Sequence, residues 1–154
     1  MVQSIEGRLA ELDIVLPTPK KTAARYVAAK LVGNTLYVSG TMPLGDAGPL
    51  WKGVVGKDVS IAEAQKATTA ATVLLLAHAK EALGSLERIR QTLRLEVFVR
   101  AVPDFEDHPQ VANAASELLL HALADKGTHA RFAVGVAGLP FGVPVEVAAT
   151  FAID

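Results

Sequence analysis

The chain has 154 residues, 51% apolar and 20% charged, with a formal net charge of −1 and no cysteine. That length and composition fit one domain with a sizeable core rather than a disordered chain. The near-zero charge argues against a nucleic-acid partner, and the lack of thiols excludes disulfides, thiolate metal sites and a cysteine nucleophile.

In chain order, Ser4 to Leu12 is predicted as a short amphipathic helix with Ile5, Leu9 and Leu12 on one face. Leu16-Pro17-Thr18-Pro19 ends it. Residues 1–20 are thus an N-terminal helical extension of a single domain over 1–154. The first residues lack the basic and apolar stretches of a secretory leader. The longest apolar run, Ala70 to Ala79, is broken by Thr72 and His78 and is too short to span a bilayer. A soluble cytoplasmic protein with no membrane partner is the expectation. Mean hydropathy of +0.33 is high for a small soluble monomer. Some apolar surface should therefore be covered by other subunits.

Tyr26 to Leu31 and Thr35 to Ser39 are predicted strands joined at Gly33-Asn34. Gly40 to Gly56 is glycine-rich and is expected to be a long loop, with a short strand near Val54. Ser60-Ile61-Ala62-Glu63 is a capping box that opens a helix to about Leu83, with Gly84 as its stop. Arg90 to Ala101 alternates: Leu93, Leu95, Val97 and Val99 on one side, Thr92, Arg94, Glu96 and Phe98 on the other. Pro109 marks the first turn of a helix to about Lys126, stopped by Gly127. Two strands follow, around a Leu139-Pro140 turn. The pattern predicts an α+β fold: a mixed β-sheet with two long helices packed on one face.

Each of the last two strands carries one charge, Arg131 and Glu146. A charge in so apolar a strand is costly unless paired, and an arginine fork is a ready receptor for a carboxylate. Arg131 shares a face with Ala133 and Gly135; Glu146 shares one with Ala148 and Thr150. The bulky faces are expected to meet the helices, and the small-residue faces to be covered by neighbouring subunits in a closed ring. A hairpin centred on Leu139-Pro140 places Glu146 opposite Ala133, diagonal to Arg131 at about 7–8 Å. The two charges would then flank one pocket. The same pair read alone also fits an intersubunit salt bridge.

The motif Ala130-Arg131-x-Ala133-Val134-x-Val136-x-x-Leu139-Pro140, then Val145-Glu146-Val147-x-Ala149, resembles the Rid (YjgF) family of reactive intermediate deaminases. Similarity continues in Tyr26-Val27, Gly33-Asn34-x-x-Tyr37-Val38-Ser39-Gly40-x-x-Pro43, Val97-Phe98-Val99, Phe105 and Val111-x-Asn113-x-x-x-Glu117. The resemblance implies a chorismate-mutase-like fold assembled as a trimeric barrel, with clefts between subunits. It implies hydrolysis of enamine and imine intermediates such as 2-aminoacrylate to 2-keto acids and ammonia, without a cofactor or metal. It assigns Arg131 to the substrate carboxylate and Glu146 to water, with Tyr26, Asn113, Ser39 and Gly40 lining the cleft. Many members carry cysteine where this chain has Ala133, which reshapes the pocket and suggests a sub-branch. The N-terminal helix and the longer segment Glu106 to Ala112 also depart from the shortest members.

Plainer readings stand beside these. Tyr26 alone reads as a strand aromatic, Asn113 as a helix-surface polar residue, and Ser39-Gly40 as a strand end with a bulge. His78, His108, His121 and His129 lack metal-ligand spacing, and His129 belongs to a loop or to the cleft rim. Ser39 and Ser116 sit in no G-x-S-x-G motif, the segment Gly45 to Gly56 is no phosphate cradle, and Trp51 is a packing anchor. A non-catalytic protein that binds 2-keto or 2-amino acids is the main alternative function. An RNA-cleaving role is disfavoured by the missing basic patch and aromatic platform.

Overall fold

A computed structural model describes residues 3–154. The elements are α1 (Ile5–Ala10), β1 (Ala29–Val32), β2 (Thr35–Thr41), β3 (Leu44–Gly45), β4 (Gly48–Pro49), α2 (Ile61–Leu83), β5 (Ile89–Arg100), α3 (His108–Leu123), β6 (Ala130–Val136) and β7 (Val145–Ile153). Their order is the predicted one except in the Gly40–Gly56 stretch, where β3 and β4 replace the single short strand expected near Val54. Five strands form a sheet in the order β1-β2-β7-β5-β6, with only β5 and β6 parallel. Among the described residues no helix is long and apolar enough to cross a membrane.

The helices start and stop where local chemistry says they should. The Ser60 hydroxyl accepts from the Glu63 N–H at 3.2 Å, and the Glu63 carboxylate accepts from the Ser60 N–H at 2.8 Å. Gly84 closes α2 at φ 78°, a left-handed position where a side chain is disfavoured. Helix α3 stops at Leu123, short of the predicted Lys126. Ala124 turns to φ 52° there and a 3-10 turn runs on to Gly127. The buried stripes of α2 and α3 are rich in alanine, so the two helices approach closely over the sheet. Thr68 and Thr72 are buried in α2 but bond the carbonyls of Ala64 and Thr68, each at 2.8 Å, so neither hydroxyl is orphaned. Of the 1–20 extension, Met1 and Val2 lie outside the described residues, while Ile5 and Leu9 of α1 are fully buried.

Several expectations are corrected. Strand β1 begins at Ala29, not Tyr26, because the chain at Ala23–Tyr26 is bent and the Thr22 hydroxyl donates to the Tyr26 carbonyl at 2.8 Å. The Gly40–Gly56 loop carries the β3–β4 ribbon, and the chain near Val54 makes only isolated bridges through Val55. In β5 a bulge between Thr92 and Arg94 shifts the alternation. Thr92 therefore faces the core and Leu93 is 43% exposed.

The largest correction concerns the last two strands. They do not form a hairpin. β5, α3 and β6 make a parallel crossover unit, and β7 then pairs with the opposite edge of β5. The Leu139-Pro140 segment is not a tight turn; a 3-10 turn over Pro140–Gly142 carries the chain across. Ala133 thus lies opposite Val97, and Glu146 opposite Phe98.

This topology also reverses the predicted faces of β6. Residues directly opposite share a face. Phe98 is on the face away from the helices, and its ring meets Phe132 edge-on at 5.5 Å. Phe132 and Val134 are therefore on the open face, and Arg131, Ala133 and Gly135 lie under α3. The small residues admit the helix: a Cβ at Gly135 would stand 2.7 Å from the His108 ring. β7 behaves as predicted, with Val145, Val147, Phe151 and Ile153 in the core.

Candidate active site in two halves

The first half-site surrounds Arg131. Asn113 and Ser116 are three residues apart on α3, so both project from one helix face toward β6. One Arg131 Nη donates to Asn113 Oδ1 at 2.8 Å and to Ser116 Oγ at 3.1 Å. Ser116 Oγ is in turn 2.9 Å from His129 Nε2. Ala133 sits next along the same strand face and contributes only a methyl group. Among the described residues Arg131 has no acidic partner within ion-pair distance, and its hydrogen bonds to protein side chains all come from that one Nη. That leaves one edge of the guanidinium free for a carboxylate fork.

The second half-site is built by β2, β7 and the bent segment before β1. Glu146 projects from the open face of β7 beside Gly40. A Cβ at Gly40 would strike Glu146 Oε1 and come within 3.0 Å of its Cδ. Burial pushes the Glu146 carboxyl above its ordinary value of 4.5. The bulge between Val38 and Thr41 turns this stretch of β2, and the Ser39 hydroxyl donates to the Val27 carbonyl at 2.7 Å. Gly40, Ser39 and Tyr26 line a cavity of about 460 Å³ that runs between Pro17–Ala24 and α2. Leu74 and His78 form its α2 wall. Burial holds His78 below the ordinary value, against the pull of Glu81, and its Nδ1 has no partner among the described residues.

Each half is assembled, but the halves are separate. Arg131, Asn113 and Ala133 come together; Glu146 comes up beside Gly40, and Gly40, Ser39 and Tyr26 share the lining of the cavity. Arg131 and Glu146 lie on opposite faces of the sheet with β5 between their strands. The single pocket expected from a hairpin therefore does not exist within one chain. Ser116 belongs to no motif that marks it as a site residue; its three-residue spacing from Asn113 is the signal that joins the two. No group of three or more metal-ligating side chains occurs among the described residues.

Gly40→Ala tests the second half. The backbone tolerates alanine, and the colliding atom is the end of a flexible side chain, so the fold should lose about 1 kcal/mol or less. The carboxylate would be swung aside, and turnover should fall about tenfold or more. Paired denaturation and rate measurements check this.

The sequence matches the family described as "YjgF/chorismate mutase-like, putative endoribonuclease" over residues 6–147. The chain is 39% identical over 144 residues to protein TCP17 of Trypanosoma cruzi, covering 93% of this chain and 90% of that one. It superimposes on the crystal structure of Atu1372, a protein of unknown function from Agrobacterium tumefaciens, with TM-score 0.92 and 44% identity, covering 97% of this chain and 92% of that one. The crystal structure of RidA from the Antarctic bacterium Psychrobacter sp. PAMC 21119 aligns with TM-score 0.59 and 26% identity, covering 88% and 94% respectively. The chain belongs to the YjgF/chorismate mutase-like (Rid) family.

Proposed function

We propose that this protein is a cytoplasmic deaminase that hydrolyses small 2-imino acids of the 2-aminoacrylate type to 2-keto acids and ammonia. It works in clefts between the subunits of a homotrimer. One observation carries the reading: each chain places Arg131, with one edge unbonded, and Glu146, a carboxyl raised by burial, on opposite sheet faces. Neither half suffices, and a second copy supplies what the first lacks. The open face of the sheet, with Phe98, Phe132 and the 41%-exposed Val134, offers the apolar surface for such packing.

The free edge of Arg131 grips the substrate carboxylate, and Asn113 holds the guanidinium. Glu146 takes a proton from water as the water oxygen bonds to the imine carbon. The resulting carbinolamine receives that proton on nitrogen, ammonia leaves as Glu146 takes the hydroxyl proton and the carbonyl forms, and that last proton departs with the ammonia as ammonium. A carboxyl raised by burial is suited to holding a proton between these two steps. Tyr26, Ser39 and Gly40 line the neighbouring wall, and Ala133 leaves room beside the arginine. The scheme draws on no metal or cofactor, because a protonated imine is already electrophilic.

The test couples an enzyme that releases 2-aminoacrylate to a readout of pyruvate. Wild-type protein should accelerate pyruvate formation, and light scattering should give a mass near three chains. A rate equal to buffer would reject the activity, and a clean monomer would reject the shared cleft. Tight keto-acid binding without turnover would mark a non-catalytic sensor instead. The family description includes RNA cleavage, but a net charge of −1 offers little attraction for phosphate. RNA left intact by purified protein is the expected result.

A further inference from the structure

We propose that Ser116 and His129 are positioning residues for Arg131: a hydrogen-bond relay ending on the Gly127 carbonyl fixes how the arginine presents its free edge to a carboxylate. The inference rests on the reading of Arg131 as a carboxylate receptor, but its geometry stands on its own.

The direction of every bond in the relay follows from what each atom can do. A guanidinium only donates, so Ser116 Oγ accepts from Arg131 at 3.1 Å. The serine proton must then point elsewhere, and His129 Nε2 lies 2.9 Å away. His129 Nδ1 is 2.6 Å from the Gly127 carbonyl. A carbonyl only accepts, so Nδ1 carries the ring proton and, in the neutral ring, Nε2 is a lone pair. The serine hydroxyl therefore donates into Nε2. Arginine to serine, serine to histidine, histidine to carbonyl: the Ser116 hydroxyl accepts with a lone pair and donates its one proton, so each proton and each lone pair in the relay is used once.

The far end of the relay is held in place. A Cβ on Gly127 would strike the Leu119 carbonyl oxygen and stand 2.9 Å from Leu120 Cα. Only glycine lets the chain pass so close to α3 and bring His129 over Ser116. From the other side, Gln91 Nε2 donates to the Thr128 carbonyl at 2.8 Å and to its hydroxyl at 2.9 Å. The backbone between Gly127 and His129 is thus tied to both β5 and α3. With one Nη committed to Asn113 and Ser116, rotation of the guanidinium is blocked, and the opposite edge keeps one direction. An arginine that did not need aiming would need only Asn113.

Two measurements test this. Long-range proton–nitrogen NMR on the intact protein, recorded on the neutral ring of His129, should place its proton on Nδ1. Ser116→Ala and His129→Leu should each speed rotation of the Arg131 guanidinium and weaken pyruvate binding about tenfold, raising KM with little change in kcat. Ser116→Thr should restore both to near wild type, and the double variant should be no worse than either single one. A proton on Nε2, or unchanged Arg131 rotation in Ser116→Ala, would overturn the relay. These NMR results are independent of turnover, so wild-type protein that neither binds nor hydrolyses would defeat the functional reading alone.

Discussion

Arg131→Ala should return imine hydrolysis to the rate in buffer. The arginine is the one cation held on the α3 face of β6, and its free edge matches the geometry of a carboxylate. Removing a fork that binds a charged group costs about 3–5 kcal/mol, or at least a hundredfold in kcat/KM. Arg131→Lys should recover little, because a point charge cannot bond both carboxylate oxygens while holding Asn113 and Ser116. Stability should change by about 1 kcal/mol or less, since the side chain sits on an edge strand. Steady-state rates at saturating and low substrate, with a denaturation curve for each variant, separate the two effects. Near-normal turnover in Arg131→Ala would remove the carboxylate receptor from the account.

Glu146→Gln should lose catalysis and gain stability. The amide cannot take a proton from water, so kcat should fall about 10²–10⁴-fold. The stability change has a definite sign. Burial raises the Glu146 carboxyl above 4.5, so the folded state holds this proton more firmly than the unfolded state does. Below about pH 4.5 the group is neutral in both states and costs nothing. As pH rises through the folded-state value, the charged form is trapped where water is scarce, and stability is lost. The glutamine variant never carries that charge. Its advantage over wild type should be present at pH 7.5 and should shrink toward pH 4, measured by denaturant melts at both values. A variant less stable than wild type at pH 7.5 would show that the carboxylate is welcome where it sits. Such a trade of stability against function is common at active sites.

Much of this architecture is legible in the sequence because its signals are local. The capping box at Ser60 and Glu63, the stop at Gly84, and the alternation of β7 each involve residues a few positions apart. The pairing of β6 is not local. It depends on a crossover through α3, and a strand bearing both small and bulky residues can present either face. The usual preference of bulky residues for the helix side points the wrong way here. Gly135 must pass beneath His108, while Phe132 is taken up by Phe98 on the open face. The candidate site was legible as a set of residues and not as an arrangement. Arg131 with Asn113, and Glu146 with Gly40, are each brought together, but the register that would join them belongs to a hairpin that does not form. The bulge at Thr92–Arg94 was hidden for a similar reason. A one-residue slip leaves the alternation of Leu95, Val97 and Val99 intact while turning Leu93 outward.

Subunit mixing asks the central question most directly. Arg131→Ala and Glu146→Gln proteins, each inactive alone, are unfolded together in equal amounts and refolded. If a working site takes its arginine from one chain and its carboxyl from the next, random assembly rebuilds about one quarter of the sites, and about a quarter of wild-type activity returns. If both groups must come from the same chain, the mixture stays as inactive as its parts, and the shared cleft is wrong.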